Sequence, residues 1–273
     1  MTPETLPRRD RGDAMTIRLA CSSESYNDLL TAGHLGLEEW LRLCSEELRL
    51  TGVELEDKHI GPPTAERLGG LRTAAARYGL EIVNIAVMNN FGVADEARLR
   101  AEEARTREWM GAGKRLGSRF VRTFAGWPEG ERAVRWPAMI AALQSTCREA
   151  ERLGVRLVLE NHNHGGFVQT AAHATAIFDE VGSPALGLLL DTGNYLDGLA
   201  SIASTAARAW HVHAKFTRVD AGGRDPRVDH DAVIGLLKAA GYGGWVSVEY
   251  EGEEPGRTAV PRALAYLRQA IGG

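Results

Sequence analysis

Eight short apolar, β-branched runs recur along the chain at a regular interval, and this period limits the possible folds more than any other feature. They read IRLACSS (17–23), GVELE (52–56), LEIVNIAV (80–87), RFVRTFAG (119–126), VRLVLENH (155–162), LGLLLDTGN (186–194), WHVHAKF (210–216) and GWVSVEYE (244–251). Their mean step of about 32 residues accommodates a strand, a helix and two loops. The stretches between them carry helical spacing and end in glycine: LGLEEWLRLCSEELRLTG at Gly52, AERLGGLRTAAARYG at Gly79 and PAMIAALQSTCREAERLG at Gly154. A glycine there is expected just past the helix end, where left-handed backbone turns the chain into the next strand. Eight strands alternating with helices imply an all-parallel sheet, which eight units can close into a (β/α)8 barrel. An open doubly wound sheet would normally place a glycine-rich phosphate loop after an early strand, and neither GxGxxG nor GxxxxGK[ST] occurs. The reading is an α/β chain folded as one TIM barrel over residues 15–273, with residues 1–14 a disordered polar extension.

Composition agrees. With 44% hydrophobic and 25% charged residues in 273, there is enough apolar material for one large core. Lys+Arg at 32 against Asp+Glu at 36 leaves no basic excess, so nucleic-acid and anionic-membrane binding are not expected. No run approaches the roughly 20 apolar residues of a membrane span. The segment MTPETLPRRDRGDA lacks the apolar region of a secretory signal, and Met15 is an alternative start. Cys21, Cys44 and Cys147 are odd in number and show no CxxC spacing. They read as buried thiols in a reducing cytoplasm.

Strands of a parallel sheet are covered on both faces and should be nearly continuous apolar runs. Several here end in ionisable groups, which must point into the barrel mouth or lie at its rim. Period-two alternation groups Val158, Glu160 and His162 on one face, then His211, His213 and Lys215, then Ser247, Glu249 and Glu251. The sixth strand contributes Asp191. All lie toward the C-terminal strand ends, the catalytic face of this architecture. Three carboxylates in a partly dry funnel are costly unless protons or a cation compensate. Glu160, Asp191, a histidine of the seventh strand (His213 or His211, which parity does not separate) and Glu249 therefore form a candidate divalent-metal cage. Three oxygens and one imidazole, with no thiolate, suit Mn²⁺, Co²⁺ or Mg²⁺ better than a structural Zn²⁺ site. Singly, each residue reads first as a loop cap, rim ion pair or satisfied core histidine. Their conjunction on four consecutive strands carries the metal reading.

Through GVELED (52–57), LVLENH (157–162), LLLDTGN (188–194), HVHAKF (211–216) and GYGGWVSVEYEGEE (241–254), the chain resembles the xylose isomerase-like TIM-barrel superfamily, often described as sugar phosphate isomerases and epimerases. The resemblance runs from about residue 16 to the C-terminus. In the ketose 3-epimerases of that superfamily, Glu, Asp, His and Glu from the last four strands hold a metal. The resemblance implies Glu160, Asp191, His213 and Glu249 as the ligands here, with Glu160 and Glu249 as the acid/base pair. Three positions depart from the pattern. Gly166 stands where those epimerases carry a second glutamate, Asn194 where they have the histidine of D-x-x-H, and Val219, next to Arg218, where a substrate-binding arginine is expected. Apurinic-site endonucleases share the fold, but their His-rich three-zinc cluster is not matched, since RVDHD (227–231) lacks a clear D-x-H pair.

The chemistry implied is proton abstraction beside the carbonyl of a keto-sugar or related polyol, through an enediolate stabilised by a Lewis-acid metal. One glutamate removes the proton and the other returns it, giving an isomerase or epimerase of carbohydrate metabolism. Manganese is the first choice of cofactor, with Co²⁺, Mg²⁺ and Zn²⁺ as alternatives. Departure of a leaving group from the same intermediate gives dehydratase or lyase chemistry instead. A barrel that binds metal or sugar without catalysis, or serves as a subunit of a larger enzyme, is the reading from another class. His162 and Lys215, Asn194 in the loop after Asp191, and Arg122, in parity with Phe120 and Phe124, are candidates for substrate binding; each has a supporting role as its alternative. Glu54 and Glu56 read as pocket-lining groups or ion-pair partners, and His164 as a loop base or an exposed residue. Trp127 and Phe91 read as loop packing or as cover for a sugar's apolar face. The expected partner is a small carbohydrate or polyol, and a homo-oligomer is compatible with the sequence.

Overall fold

The computed structural model describes residues 16–162 and 164–273; the expected N-terminal extension and the alternative start at Met15 lie outside them. The eight apolar runs are strands: β1 (Arg18–Ser22), β2 (Gly52–Glu56), β3 (Glu81–Ala86), β4 (Phe120–Thr123), β5 (Leu157–Glu160), β6 (Leu186–Asp191), β7 (Ala209–Phe216) and β8 (Trp245–Tyr250). They are parallel and pair in chain order, and β8 returns to β1 to close the barrel. Closure leaves no sheet edge, and the alternating helices cover the outer face. The three cysteines are buried free thiols. No helix among the described residues is long and apolar enough to cross a membrane.

Two of the three helix-terminal glycines act as expected. Gly154 takes left-handed backbone (φ 69°) after the helix Arg132–Leu153, and Gly79 (φ 64°) follows the helix Ala65–Arg77. Gly52 is a correction. The preceding helix, Leu37–Glu46, stops earlier, Arg49 takes the positive φ (53°), and Gly52 is the first residue of β2. Its missing side chain makes room for the Trp245 indole across the barrel.

The barrel interior has an apolar floor. Ala20, Val83 and Trp245 form one group, and Phe120, Val158 and Leu189 form another, with Trp210 against it. Two irregularities in the ladder aim the residues above this floor. Leu188 pairs with Ala209 but Leu189 pairs with His211, so Trp210 is an extra residue in β7. The bulge sets His213 opposite Asp191, and its indole lies where Gly187 has no side chain. Val83 is likewise extra in β3, which leaves Glu54 opposite Asn84.

Gly187→Ala would push a methyl group into the Trp210 indole. The expected cost is about 1–3 kcal/mol of overpacking, seen as a lower urea midpoint with unchanged slope. Gly69→Ala, on the helix Ala65–Arg77 with nothing near a built Cβ, should shift the midpoint the other way by about 0.5–1 kcal/mol.

Candidate metal centre

Glu160 ends β5, Asp191 ends β6, and His213 and Glu249 lie inside β7 and β8. One ligand atom from each lies within 4.8 Å of the other three, and all four residues are buried. His213 Nδ1 is 3.3 Å from Glu249 Oε1 and 3.9 Å from both Glu160 Oε1 and Asp191 Oδ2. Asp191 Oδ2 and His213 Nδ1 have no hydrogen-bond partner among the described residues. Buried polar atoms are rarely left unpaired, and these two face the same space. With three carboxylates and one imidazole converging, the donor set fits a divalent cation. The structure thus contains a possible metal-binding site.

The far side of each carboxylate is fixed by a neighbour. Arg122 Nη1 donates to Glu160 Oε2 (3.0 Å), and its Nη2 donates to Glu56 Oε2 (3.2 Å). The guanidinium carbon lies 4.4 Å from the centre of the Phe124 ring, a cation–π contact that helps to hold the group in place. Lys215 Nζ donates to Glu249 Oε2 (2.9 Å) and reaches Glu251 Oε2 at 2.7 Å. Asp191 Oδ1 accepts from the Gly193 amide (2.7 Å). The Asn161 side chain accepts from the Asp191 amide (2.8 Å) and donates to its carbonyl (3.0 Å), locking β5 to β6 where the ladder ends.

These surroundings split the carboxylates. Burial pushes Asp191 well above the usual carboxylate range, and Glu249 and Glu160 add to the rise. Burial also raises Glu160, against the pull of Arg122 and His213. At Glu249 burial opposes the charge, but His213 and Lys215 outweigh it and hold the carboxyl well below its ordinary range. Burial works against the Lys215 charge too, yet Glu249, Asp191 and Glu251 raise it well above an ordinary lysine.

The structure brings the other sequence candidates to the same mouth. Asn194 is buried, with Nδ2 3.5 Å from Glu160 Oε1. His162 is half-buried just beyond β5, its ring centroid 5.4 Å from Phe124 and 5.1 Å from Trp127. Burial lowers His162 to about 4, helped by His164, Lys215 and Arg122. His164 is exposed, and Phe91 belongs to the buried core.

Glu54 was left open between two roles, and the structure resolves its contacts. Its Oε1 lies 2.7 Å from His213 Nε2 and its Oε2 lies 2.7 Å from His211 Nε2. Ser247 Oγ adds a 3.1 Å contact to His211 Nε2. His211 thus occupies the layer beneath the four-residue group, which separates the two histidines that parity could not. The signal in the sequence was an acid at a buried strand position, which requires a partner. Which partner it has was hidden, because His211 lies 157 residues away.

Comparison with known proteins follows this geometry. The barrel superposes on a 3-keto-D-glucoside 4-epimerase from E. coli with a TM-score of 0.76 at 17% identity, covering 93% of this chain and 100% of that one. An L-ribulose 3-epimerase gives 0.77 at 19% identity, covering 94% and 95%. The IOLI protein, crystallised with a zinc atom, gives 0.75 at 18% identity, covering 93% and 96%. At these identities the likeness is one of fold. In sequence, 42 residues are 45% identical to the alpha subunit of a 3'-dehydrocarminate deglycosidase from a Microbacterium species, spanning 15% of this chain and 12% of that subunit. A family profile matches residues 45–270, and the chain belongs to the xylose isomerase-like TIM barrel family.

Proposed function

We propose that this protein is a divalent-metal-dependent isomerase or epimerase of keto-sugars, acting by proton transfer at the carbon beside a carbonyl. The observation that carries the reading is geometric: Glu160, Asp191, His213 and Glu249 converge in one buried centre, and Glu160 and Glu249 are each held through one oxygen, by Arg122 and by Lys215, leaving the other oxygen to face that centre. Glu160, Asp191, His213 and Glu249 would hold the ion, with Mn²⁺ the first choice. When bound, it supplies Lewis-acid stabilisation of the negative charge that develops on the substrate oxygens.

The chain's own residues account for the rest. Glu249 takes the proton, and Lys215 fixes the carboxylate by its other oxygen. Glu160, fixed in the same way by Arg122, returns a proton. Return to the opposite face gives an epimer, and return to the adjacent carbon gives an aldose–ketose pair. Asn194, Arg122 and Lys215 supply donors for substrate hydroxyls. The rings of Phe124, Trp127 and His162 form an aromatic side to the mouth, suited to a sugar's apolar face. The relatives' names support a keto-sugar: they speak of a 3-keto-D-glucoside, an L-ribulose and a 3'-dehydrocarminate.

A lyase is the second reading. It is favoured by the deglycosidase-like stretch and by His162, a neutral imidazole at pH 7 that no carboxylate or cation among the described residues claims by hydrogen bond. There His162 would remove the proton, and the electron pair would expel a group from the neighbouring carbon.

Three outcomes are expected. The purified protein should carry about one divalent ion per chain, and Asp191→Asn or His213→Ala should lose it while circular dichroism still shows the barrel. Full occupancy in both variants would remove the site. Burial raises Asp191, so an entering ion competes there with a proton. Affinity should therefore rise with pH, roughly tenfold per unit for each proton released, and calorimetry in buffers of different ionisation heat should count that release. An affinity flat from pH 5 to 8 would contradict it.

The third outcome concerns catalysis. Keto-sugars incubated in D₂O should gain deuterium next to the carbonyl. Glu249→Gln and Glu160→Gln, at confirmed ion occupancy, should slow that exchange by about 10²–10⁴-fold. Wild-type exchange in both would reject the two-glutamate mechanism. Release of an aglycone by the wild type, lost together with exchange in His162→Ala, would select the lyase. No exchange by the wild type on any carbonyl sugar would select a binding protein.

A further inference from the structure

We infer that Glu54 is the positioning residue that makes His213 a ligand: its carboxylate holds the Nε2–H of both His213 and His211, so that the His213 Nδ1 lone pair faces the three carboxylates above. This rests on the four-residue centre proposed as the metal site. The geometry is a two-armed clamp. Oε1 and Oε2 of one fully buried carboxylate each lie 2.7 Å from an imidazole Nε2. An ionised carboxylate has only acceptors, so at that distance each nitrogen must bring the hydrogen. With Nε2 engaged by Glu54, Nδ1 is the one ring nitrogen that His213 has left to offer a cation. His213 Nδ1 is the atom that points at Glu249, Asp191 and Glu160 and lacks a hydrogen-bond partner among the described residues.

The lower arm keeps Glu54 from choosing otherwise. His211 occupies its second oxygen, and Ser247 Oγ lies beside that same nitrogen. The carboxylate therefore cannot rotate without breaking a bond in a dry interior. Glu54 stands on β2 and both histidines on β7, so the clamp spans the barrel and fixes the ring plane as well as the proton. Glu54, His211 and His213 also lie close enough to suggest a second ion. Hydrogen bonds explain these contacts better, because a second ion would take His213 Nε2 while Nδ1 served the first.

Glu54→Gln keeps the size but replaces one acceptor by an NH₂ group. That group cannot face an Nε2–H, so one imidazole must move its proton to Nδ1. If His213 moves it, an N–H points where the cation belongs.

The experiment uses Zn²⁺ alone and no sugar. In wild-type protein labelled with ¹⁵N-histidine, both Nε2 atoms should carry protected protons before and after Zn²⁺, and only His213 Nδ1 should shift on loading. Zn²⁺ affinity of folded Glu54→Gln, by chelator competition, should fall about 10–100-fold, the usual effect of losing the partner behind a ligating histidine. An Nδ1–H on loaded His213, two ions per chain, or affinity within twofold of wild type in Glu54→Gln would overturn the proposal. Should Glu54→Gln fail to fold, the wild-type spectra decide alone. Wild-type protein that binds no Zn²⁺ would overturn the metal reading and this proposal together, whereas unchanged affinity in the variant overturns this proposal only.

Discussion

The upper half of the barrel is organised by the repulsion among buried carboxylates. Glu54, Glu56, Glu160, Asp191 and Glu249 are all nearly inaccessible and share one funnel. Isolated charges in such a place would be expelled or neutralised, so each acid has to be answered by a proton, a cation or a cluster of N–H groups. Arg122 answers two of them, Lys215 answers Glu249, and two imidazoles answer Glu54. Among the buried atoms of the described residues that lack a hydrogen bond, one on Asp191 and one on His213 lie 3.9 Å apart where the walls converge. The space they face suits one positive charge.

The bonds that are made also hold the site rigid. Arg122 and Lys215 approach from opposite sides of the ring, on β4 and β7, and each holds the outer oxygen of one glutamate. The inner oxygens keep a single direction without relying on side-chain entropy to settle there. A site on strands is placed more accurately than one on loops, and here the ladder registers of β6 to β8 set the heights of Asp191, His213 and Glu249. The extra residue at Trp210 is part of this arrangement, because a regular β7 would carry its histidines out of step with β6.

The proposed sugar chemistry suits these surroundings. A polyhydroxylated substrate brings many hydroxyls and one activated carbon, so it needs donors and acceptors on the walls and a charge-stabilising point at the centre. The mouth offers amide, guanidinium and ammonium donors beside an aromatic side, while a deeply apolar floor seals the barrel below.

The eightfold strand period determined the barrel by itself, because only a closed or doubly wound parallel sheet can use so many alternating units and no phosphate-loop glycines were present. Alternation within strands likewise put Glu160 and Glu249 each on one face, since side-chain direction in a strand is local, and the helix-covered outer wall sent those charges, with Asp191, to the mouth or its rim. Gly52 was misread for the opposite reason: its role is to clear an indole on β8, and nothing near it in the chain says so. The choice of His213 over His211 as the residue facing the carboxylates depended on height in the barrel, which the bulge and the neighbouring ladder set. The bonds of Arg122 to Glu56 and Glu160, and of Glu54 to both histidines, join residues separated by 38 to 159 positions. Period and parity are properties of a few consecutive residues and survive in the sequence. Partnership across a closed ring exists only once the first strand has met the last, so tertiary structure alone decided which charges answer which.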